Sequence, residues 1–345
     1  MLGLDRRALQ VAWTLLLFAA IAAVVYQARR TLAIFVLALF LAHLIAPVVD
    51  FVARFVPARV SRTAVLGIVY VVILAAVTLS AVSVGSRIAE QAAGLAARLP
   101  EAIQQDPLAR LPMPDWLEPM RPKLTELIRA RMDELGRQVL PFLSRAGVQI
   151  LSGIGNLLSV ILIPILSFLF LKDGDALQEA IVESFENGQR PLVRGIVSDL
   201  HVLLAQYVRA LVILSFATFL FYLGFLSSTG VPYAILLSGI AAPLEFIPVV
   251  GPLVASVVIL LVAAFTGYPH LLWIVGFLVV YRIFEDYVLS PYLMSAGVAI
   301  HPLAMLFGVL AGEQLAGIPG MFFSVPVIAA LRIVVVRLRR RSHEE

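Results

Sequence analysis

Val231–Phe265 reads VPYAILLSGIAAPLEFIPVVGPLVASVVILLVAAF, an apolar stretch with one charge, Glu245, broken by Pro248, Gly251 and Pro252. A charge in such surroundings is costly unless it faces a cavity or a partner. Proline removes an internal helix hydrogen bond, and glycine loosens the helix. Non-helical backbone is tolerated at membrane depth only where protein buries it or a watery cavity meets it. The stretch is too long and too interrupted for one straight span. His301–Val336 repeats the order: an apolar run, Gly312-Glu313-Gln314, then Gly317-Ile318-Pro319-Gly320 and a second apolar run. A matched pair of Gly/Pro-interrupted hydrophobic segments points to the solute site of a secondary transporter. Each segment either crosses the bilayer or turns back as a re-entrant hairpin. The loops between them carry no charge to decide it, and both readings put the C-terminus on the same side.

The rest of the chain agrees with a membrane setting. Of its 345 residues, 61% are hydrophobic and 14% charged, with mean hydropathy +0.97. A soluble domain is about 45–50% apolar and about 25% charged. This composition excludes a soluble enzyme, a disordered chain and a nucleic-acid binder, despite a net charge of +4 and a pI of 9.6. With no cysteine, disulfides, thiolate metal sites and thiol catalysis are excluded. Uncharged runs cover Ala8–Ala28, Thr31–Val49, Thr63–Ser86, Gly147–Leu171, Ala210–Leu244, Phe246–Tyr281, Tyr287–Gly312 and Gln314–Leu331. About 20 apolar residues cross a bilayer as a helix. The expectation is an all-α polytopic membrane protein with about eight transmembrane segments, two of them broken or re-entrant in the C-terminal half. The alternating pattern of an outer-membrane barrel is missing. Ala8–Ala28 is longer than the core of a cleaved leader and reads as a signal anchor, with Arg6 and Arg7 held in the cytoplasm.

Six units follow. Residues 1–86 form an N-terminal three-span unit and 87–146 an extracytoplasmic amphipathic helical region, where Leu124, Leu127, Ile128, Met132 and Leu135 share a helix face. Residues 147–171 form the fourth span, in which Gly147, Ser152, Gly153 and Gly155 suit close helix packing. Residues 172–209 form cytoplasmic amphipathic helices, with Asp173 or Asp175 expected as a cap. Residues 210–338 form the transport unit, and 339–345 a basic tail. Arg6 and Arg7, then Arg54, Arg59 and Arg62, then Arg332, Arg337 and Arg339–Arg341 fall on one side if the first two spans form a hairpin. By the positive-inside rule both termini are cytoplasmic, although Arg29 and Arg30 run against it. Trp13, Trp273, Tyr26 and Tyr268 read as interface anchors.

Between Ala210 and Leu331 the only charged residues are Glu245, Arg282, Glu285, Asp286 and Glu313. Arg282, Glu285 and Asp286 stand at i, i+3 and i+4, on one helix face. Arg282 can pair with either carboxylate, leaving the other for a proton, a cation or a hydroxyl-bearing solute. A structural salt bridge near a helix end at Ser290-Pro291 is the competing reading. Glu285 and Glu313 are the first candidates for ion coupling, with Glu245 next and Asp286 and Arg282 beside them. Gln314 and the glycine backbones at Gly251, Gly317 and Gly320 offer neutral hydrogen bonds, and Pro248, Pro252, Pro291 and Pro319 mark the helix breaks. Neither Lys123 nor Lys172 lies in a phosphate-binding loop, so energy must come from a gradient or a partner. There is no HExxH pair. His43 and His301 sit in apolar sequence and read as packed rather than metal-ligating. No catalytic set, metal or cofactor is expected.

Several stretches resemble the AI-2E family of bacterial membrane proteins, the autoinducer-2 exporter family. The most specific are Glu285-Asp286-Tyr287-Val288-Leu289-Ser290-Pro291, His301-Pro302-Leu303, Gly317-Ile318-Pro319-Gly320-Met321 and Val325-Pro326. Ile247-Pro248-Val249-Val250-Gly251-Pro252 and Phe168-Leu169-Phe170-Leu171-Lys172-Asp173-Gly174 resemble it too. The sequence departs from the family pattern at Arg282, where a neutral residue such as Gln is expected. It departs also at Asp286, where Asn or Gly is commoner, and at Ala316, where an aromatic is usual. The resemblance implies about eight spans in a bacterial inner membrane, cytoplasmic termini, and a homo-oligomer with a pentamer as the suggested size. It also implies export of small polar molecules or ions, the quorum-sensing furanone autoinducer-2 being the named example. The expectation is a secondary transporter exporting a small polar solute on a proton or sodium gradient. The alternatives are a sodium/proton antiporter of the same family and a non-catalytic membrane scaffold.

Overall fold

A computed structural model describes residues 6–57, 61–104, 118–120, 122–123, 126, 157–293 and 301–344. The amphipathic pattern at 124–135, apart from residue 126, and the small residues Gly147, Ser152, Gly153 and Gly155 lie outside them. Among the described residues all regular elements are helical. The long helices are α1 (Arg6–Gln27), α2 (Arg29–Ala53), α3 (Arg62–Gln104), α4 (Leu157–Glu183) and α5 (Arg190–Ser228). There follow α6 (Ala234–Leu244), α7 (Val250–Phe265) and α8 (Leu271–Phe284). A π-helical turn at Glu285–Leu289 leads into the short α9 (Ser290–Leu293), and α10 covers Pro302–Glu344. Among the described residues, four segments suffice by length and composition to cross a membrane: Thr31–Ala53, Thr63–Arg98, Arg190–Ser228 and Leu303–Arg340.

Helices continue past the points where the sequence turns polar. α3 runs without a break through Arg87 to Gln104, and α4 runs through Lys172–Asp175 to Glu183. Neither Asp173 nor Asp175 therefore caps a helix. Charged residues are adequate helix formers, so a change of solvent does not by itself end a helix. α5 joins the expected amphipathic stretch and the following span into one rod of 39 residues, about 58 Å at 1.5 Å per residue. That exceeds the hydrocarbon thickness of ~30 Å, so one end projects beyond it. α1 and α2 do not form the expected hairpin: at Ala28 (φ −82°, ψ 2°) helical hydrogen bonds continue on either side, from Ala28 N–H to Val24 and from Leu32 N–H to Ala28, so the two join end to end at a bend, where the Arg29 guanidinium lies 4.1 Å from the Tyr26 ring centroid. This cation–π contact gives an arginine at the bend a local partner.

The two interrupted segments are both helical hairpins. The first is α6 and α7, joined by residues 245–249, where Val249 takes a positive φ of 66°. Its base is closed by the Tyr268 hydroxyl, which donates to the Thr229 carbonyl at 3.1 Å. Tyr268 is therefore a buried staple rather than an interface anchor. The chain re-emerges on the side it came from. The tip is tight: a β-carbon on Gly251 would collide with the Leu244 carbonyl.

The second hairpin lies within α10. Gly317 has φ 64° and ψ −142°, a left-handed-side conformation that splits the helix into limbs 302–316 and 318–344. The backbones of Gly312 and Gly320 touch, so that a β-carbon on either would strike the other's carbonyl. In a straight helix these residues would stand about 12 Å apart along the axis. Ile328 and Ser324 lie against Gly308 in the same sense. The apolar segment Leu303–Arg340, though long enough to span, turns back on itself.

Side-chain pairs fix the directions. Phe225 stacks on Phe277 at 4.0 Å, and Thr218 meets Tyr281, so α5 and α8 are antiparallel. The second limb of α10 also runs antiparallel to α5, with Val325 packed beside Tyr207 and Arg337 bound to both carboxylate oxygens of Asp199 at 2.8 and 2.9 Å. Arg54, Arg190, Arg194 and Arg337 mark one end of the bundle, here the basic face. The first hairpin enters from the opposite face and the second from the basic face.

The core of the first hairpin holds Leu226, Leu236, Leu237, Ile259 and Ile274, all nearly inaccessible. Many large apolar residues elsewhere, such as Leu272 and Phe307, face outward. In lipid that exposure costs little, and helices associate through packing and hydrogen bonds. One such bond is specific. The Gln91 side-chain oxygen of α3 accepts from the Leu236 backbone N–H at 2.8 Å, satisfying an otherwise orphaned donor in the first turn of α6. Gln91→Leu should cost about 1–3 kcal/mol, read as a lower apparent Tm of the purified protein, and Gln91→Glu should restore much of it.

Candidate functional site

α5 carries Ser215, Thr218 and Tyr222 at helical spacing along one face, toward the first hairpin and α8. Ser215 donates to the Ala242 carbonyl at 2.7 Å, fixing the hairpin tip one turn before Glu245. The Thr218 hydroxyl lies 2.8 Å from the Tyr281 hydroxyl. Most other hydroxyls in the apolar helices serve their own backbone: Ser238 donates to Ala234, Ser256 to Pro252 and Thr266 to Val262. Thr218 instead bridges helices.

Glu245 ends α6, and Glu285 opens the π-helical turn after α8. They are 7% and 3% exposed, and their carboxyls lie within hydrogen-bonding reach of each other. A hydrogen bond between two carboxyls requires one of them to carry a proton. Arg282 binds Asp286 more closely than it binds this pair. Its Nε and one terminal nitrogen bind Asp286 at 2.8 and 2.6 Å, and the other terminal nitrogen approaches Glu285 only at 3.4 Å. The side chains of Arg282 and Asp286 are 39% and 44% exposed, whereas that of Glu285 is 4% exposed. The bidentate ion pair thus lies on the outer edge of the cluster and the carboxyl pair lies inside. π-helical turns recur at functional sites because they displace a side chain from helical register.

The depth follows from α5. Thr218 lies ten residues before Ser228, the end of the helix, hence about 15 Å from it along the axis. That is half of a hydrocarbon layer of ~30 Å. The first hairpin descends from the Ser228 end through α6, and Phe246, next to Glu245 at its tip, rests on Phe322 of the second hairpin with ring centroids 5.5 Å apart. Phe322 is five residues past the turn at Gly317. The two tips therefore meet near mid-depth, beside the carboxyl pair. On the basic-face side of this junction Phe40, Tyr207, Phe322 and Phe323 form a packed aromatic cluster.

Of the residues singled out in the sequence, Glu245, Arg282, Glu285 and Asp286 are brought together. Gly251 and Pro252 are buried at the first tip, and Pro248 is half-buried there. Gly317 and Gly320 form the second turn, with Pro319 exposed. Pro291 is exposed on α9. Glu313 and Gln314 are exposed on the second hairpin, and Glu313 is not among the groups that act on the carboxyl pair. Thr218, Tyr222 and Tyr281 were not singled out by the sequence reading. The signal that could have found them is the spacing of Ser215, Thr218 and Tyr222. His43 was expected to pack, and it is buried. Its Nδ1 donates to the Leu39 carbonyl at 2.7 Å, and its Nε2 lies 3.3 Å from Nδ1 of His201 on α5. His301 is exposed, and its Nδ1 accepts from the Leu303 N–H at 3.2 Å, capping the second hairpin. Among the described residues no group of three or more His, Cys, Asp or Glu is placed to hold a metal ion.

Opposed hairpins that meet at mid-depth beside buried ionisable groups are the arrangement of a membrane transporter, whose solute and ion sites lie at the midplane between broken helices. The comparisons with known proteins agree. The chain belongs to the AI-2E transporter family, whose family model matches residues 15–340. It is 26% identical to YueF of Bacillus subtilis over 333 residues, covering 90% of this chain and 89% of YueF. It is 26% identical to the AI-2 transport protein TqsA of Escherichia coli over 310 residues, covering 87% of this chain and 84% of TqsA. The match to YrrI of Bacillus subtilis is 27% over 223 residues, so this chain covers 62% of YrrI's length. YueF and YrrI are named for an inferred transport role.

Proposed function

We propose that this member of the family exports a small polar solute in exchange for protons, and that the Glu245–Glu285 pair carries the proton. The observation behind this reading is the pair itself: two carboxyls within hydrogen-bonding reach, buried at mid-depth where the hairpin tips meet. Intramembrane carboxyls that face the interior of a bundle are the usual components of proton relays. Protons suit the site better than sodium. The carboxyls face each other, and the neighbouring hydroxyls of Thr218 and Tyr281 are engaged together, so few oxygens converge on one point. The solute class is taken from TqsA, which is named an AI-2 transport protein. In this reading the basic face and the C-terminus are cytoplasmic, the membrane is the bacterial inner membrane, and the protein is a homo-oligomer.

The test is flux of autoinducer-2 in proteoliposomes holding the purified full chain. Flux should follow an imposed proton gradient in sign and size, and should be unchanged when sodium is replaced by choline. Flux that required sodium would overturn the proton assignment. Proton movement that responds to sodium and ignores autoinducer-2 would make the chain an antiporter instead. No gradient-dependent movement of either would leave a scaffold.

A further inference from the structure

Tyr207 of α5 is 9% exposed, and among the described residues its hydroxyl has no hydrogen-bond partner. Buried polar groups in native proteins are almost always paired, because an unpaired one forfeits its bonds to water. The other buried side-chain oxygen in this condition, among the described residues, is Ser167 Oγ on α4. A serine on a helix can turn to its own carbonyls one turn back. A phenol is held away from its own backbone by the ring, so Tyr207 needs a partner from outside its helix.

The side chains clustered with Tyr207 are apolar, and they come from several elements. They include Phe40 of α2, Phe246 of the first hairpin, and Phe322, Phe323 and Val325 of the second. Phe40 meets the Tyr207 ring edge-on with centroids 6.3 Å apart, and Phe322 and Phe323 lie 5.1 and 5.2 Å from Phe40. One polar atom is thus placed where α2, α5 and both hairpins come together. Tyr207 lies eleven residues before Thr218 on α5, about 16 Å nearer the basic face. It stands between the carboxyl pair and that face.

We infer that the Tyr207 hydroxyl is a solute contact on the basic-face side of the carboxyl pair, and that its partner is an oxygen of a small neutral ring of the furanone class. This deepens the export reading and rests on it. The phenol can donate to a carbonyl or hydroxyl of the solute, or accept from a hydroxyl. The rings of Phe40, Phe322 and Phe323 offer apolar faces to the flat side of such a solute, the usual make-up of a small-molecule site with few polar groups. A charged solute is disfavoured, because this apolar wall would bury its charge unpaired. While Phe322 and Val325 rest on α5 the site is closed and the phenol has nothing to bond. The solute enters as the second hairpin lifts from α5, and it makes a bond that the closed form lacks. That difference favours the open, loaded form.

Tyr207→Phe removes the oxygen and keeps the ring. The purified full chain in lipid nanodiscs, at one pH and with no gradient, is titrated calorimetrically with autoinducer-2, and its apparent Tm is read without solute. The affinity should fall about three- to tenfold, the worth of one neutral hydrogen bond. The solute-free Tm should rise, because a buried hydroxyl without a partner is gone. A hydroxyl with a structural partner would give the opposite sign, so a lower Tm overturns the inference. An affinity equal to that of the wild type overturns it as well, whatever the Tm. Failure of the export reading looks different. A wild-type chain that bound no autoinducer-2 would sink the solute class and this contact with it. Intact flux in Glu245→Gln and Glu285→Gln would remove the proton coupling and leave the Tyr207 contact standing.

Discussion

Glu285→Gln should reduce autoinducer-2 flux in proteoliposomes to that of protein-free vesicles, with the protein still purifying as one monodisperse species. Glutamine keeps the shape of glutamate and can hydrogen-bond to Glu245 and Arg282, but it cannot take up or release a proton. The defect should therefore lie in coupling rather than in folding. Glu245→Gln should behave in the same way, and the double variant should be no worse than either single one, since one exchangeable proton belongs to both. Glu313→Gln supplies the contrast. Glu313 is exposed on the second hairpin and does not act on the pair, so this variant should keep most of the flux. If Glu313→Gln stopped transport and Glu285→Gln did not, the coupling site would move to the second hairpin.

The second large effect concerns folding. Gly320→Val should cost about 3 kcal/mol or more, at the upper end of overpacking penalties, and Gly312→Val should do the same. A side chain at either position meets the backbone of the opposite limb, which cannot step aside as the end of a flexible side chain would. The hairpin would have to open at its turn. The readout is the yield of monodisperse protein in mild detergent and its apparent Tm, both falling sharply. Gly276→Ala on α8 is the control, since nothing lies within 4 Å of the β-carbon it would add, and it should leave both unchanged.

Hydropathy alone gave the membrane class, the number of long apolar runs and the two interrupted segments. It gave them because the cost of burying charge in lipid is large and local in sequence. Whether each interrupted segment crosses or turns back was not legible. That depends on the contacts of Gly312 with Gly320 and of Thr229 with Tyr268, and loops without charge carry no mark of them. Four of the five charged residues of the C-terminal half converge, as their scarcity suggested. Glu313 does not, because an acid beside a helix break looks the same in sequence whether it points into the bundle or out of it. The contacts between distant helices were hidden for a different reason. Thr218 and Tyr281 are 63 residues apart, and His43 and His201 are 158 apart. A lone hydroxyl or imidazole in an apolar run usually serves its own helix, so only the folded chain tells the exceptions apart.

The meeting of Phe246 with Phe322 bears on how the membrane stays sealed. The two hairpins reach the middle from opposite sides, so each is a door to one compartment and rests on the other when shut. In the proposed exchange, withdrawing one of them would open the carboxyls to a single compartment while its neighbour remained a floor. An open leak would need both to retreat together, and the chain between them passes through α8, whose aromatic face is locked to α5. In the proposed exchange, a solute would then pass by two alternating displacements, one hairpin at a time, without a continuous water column.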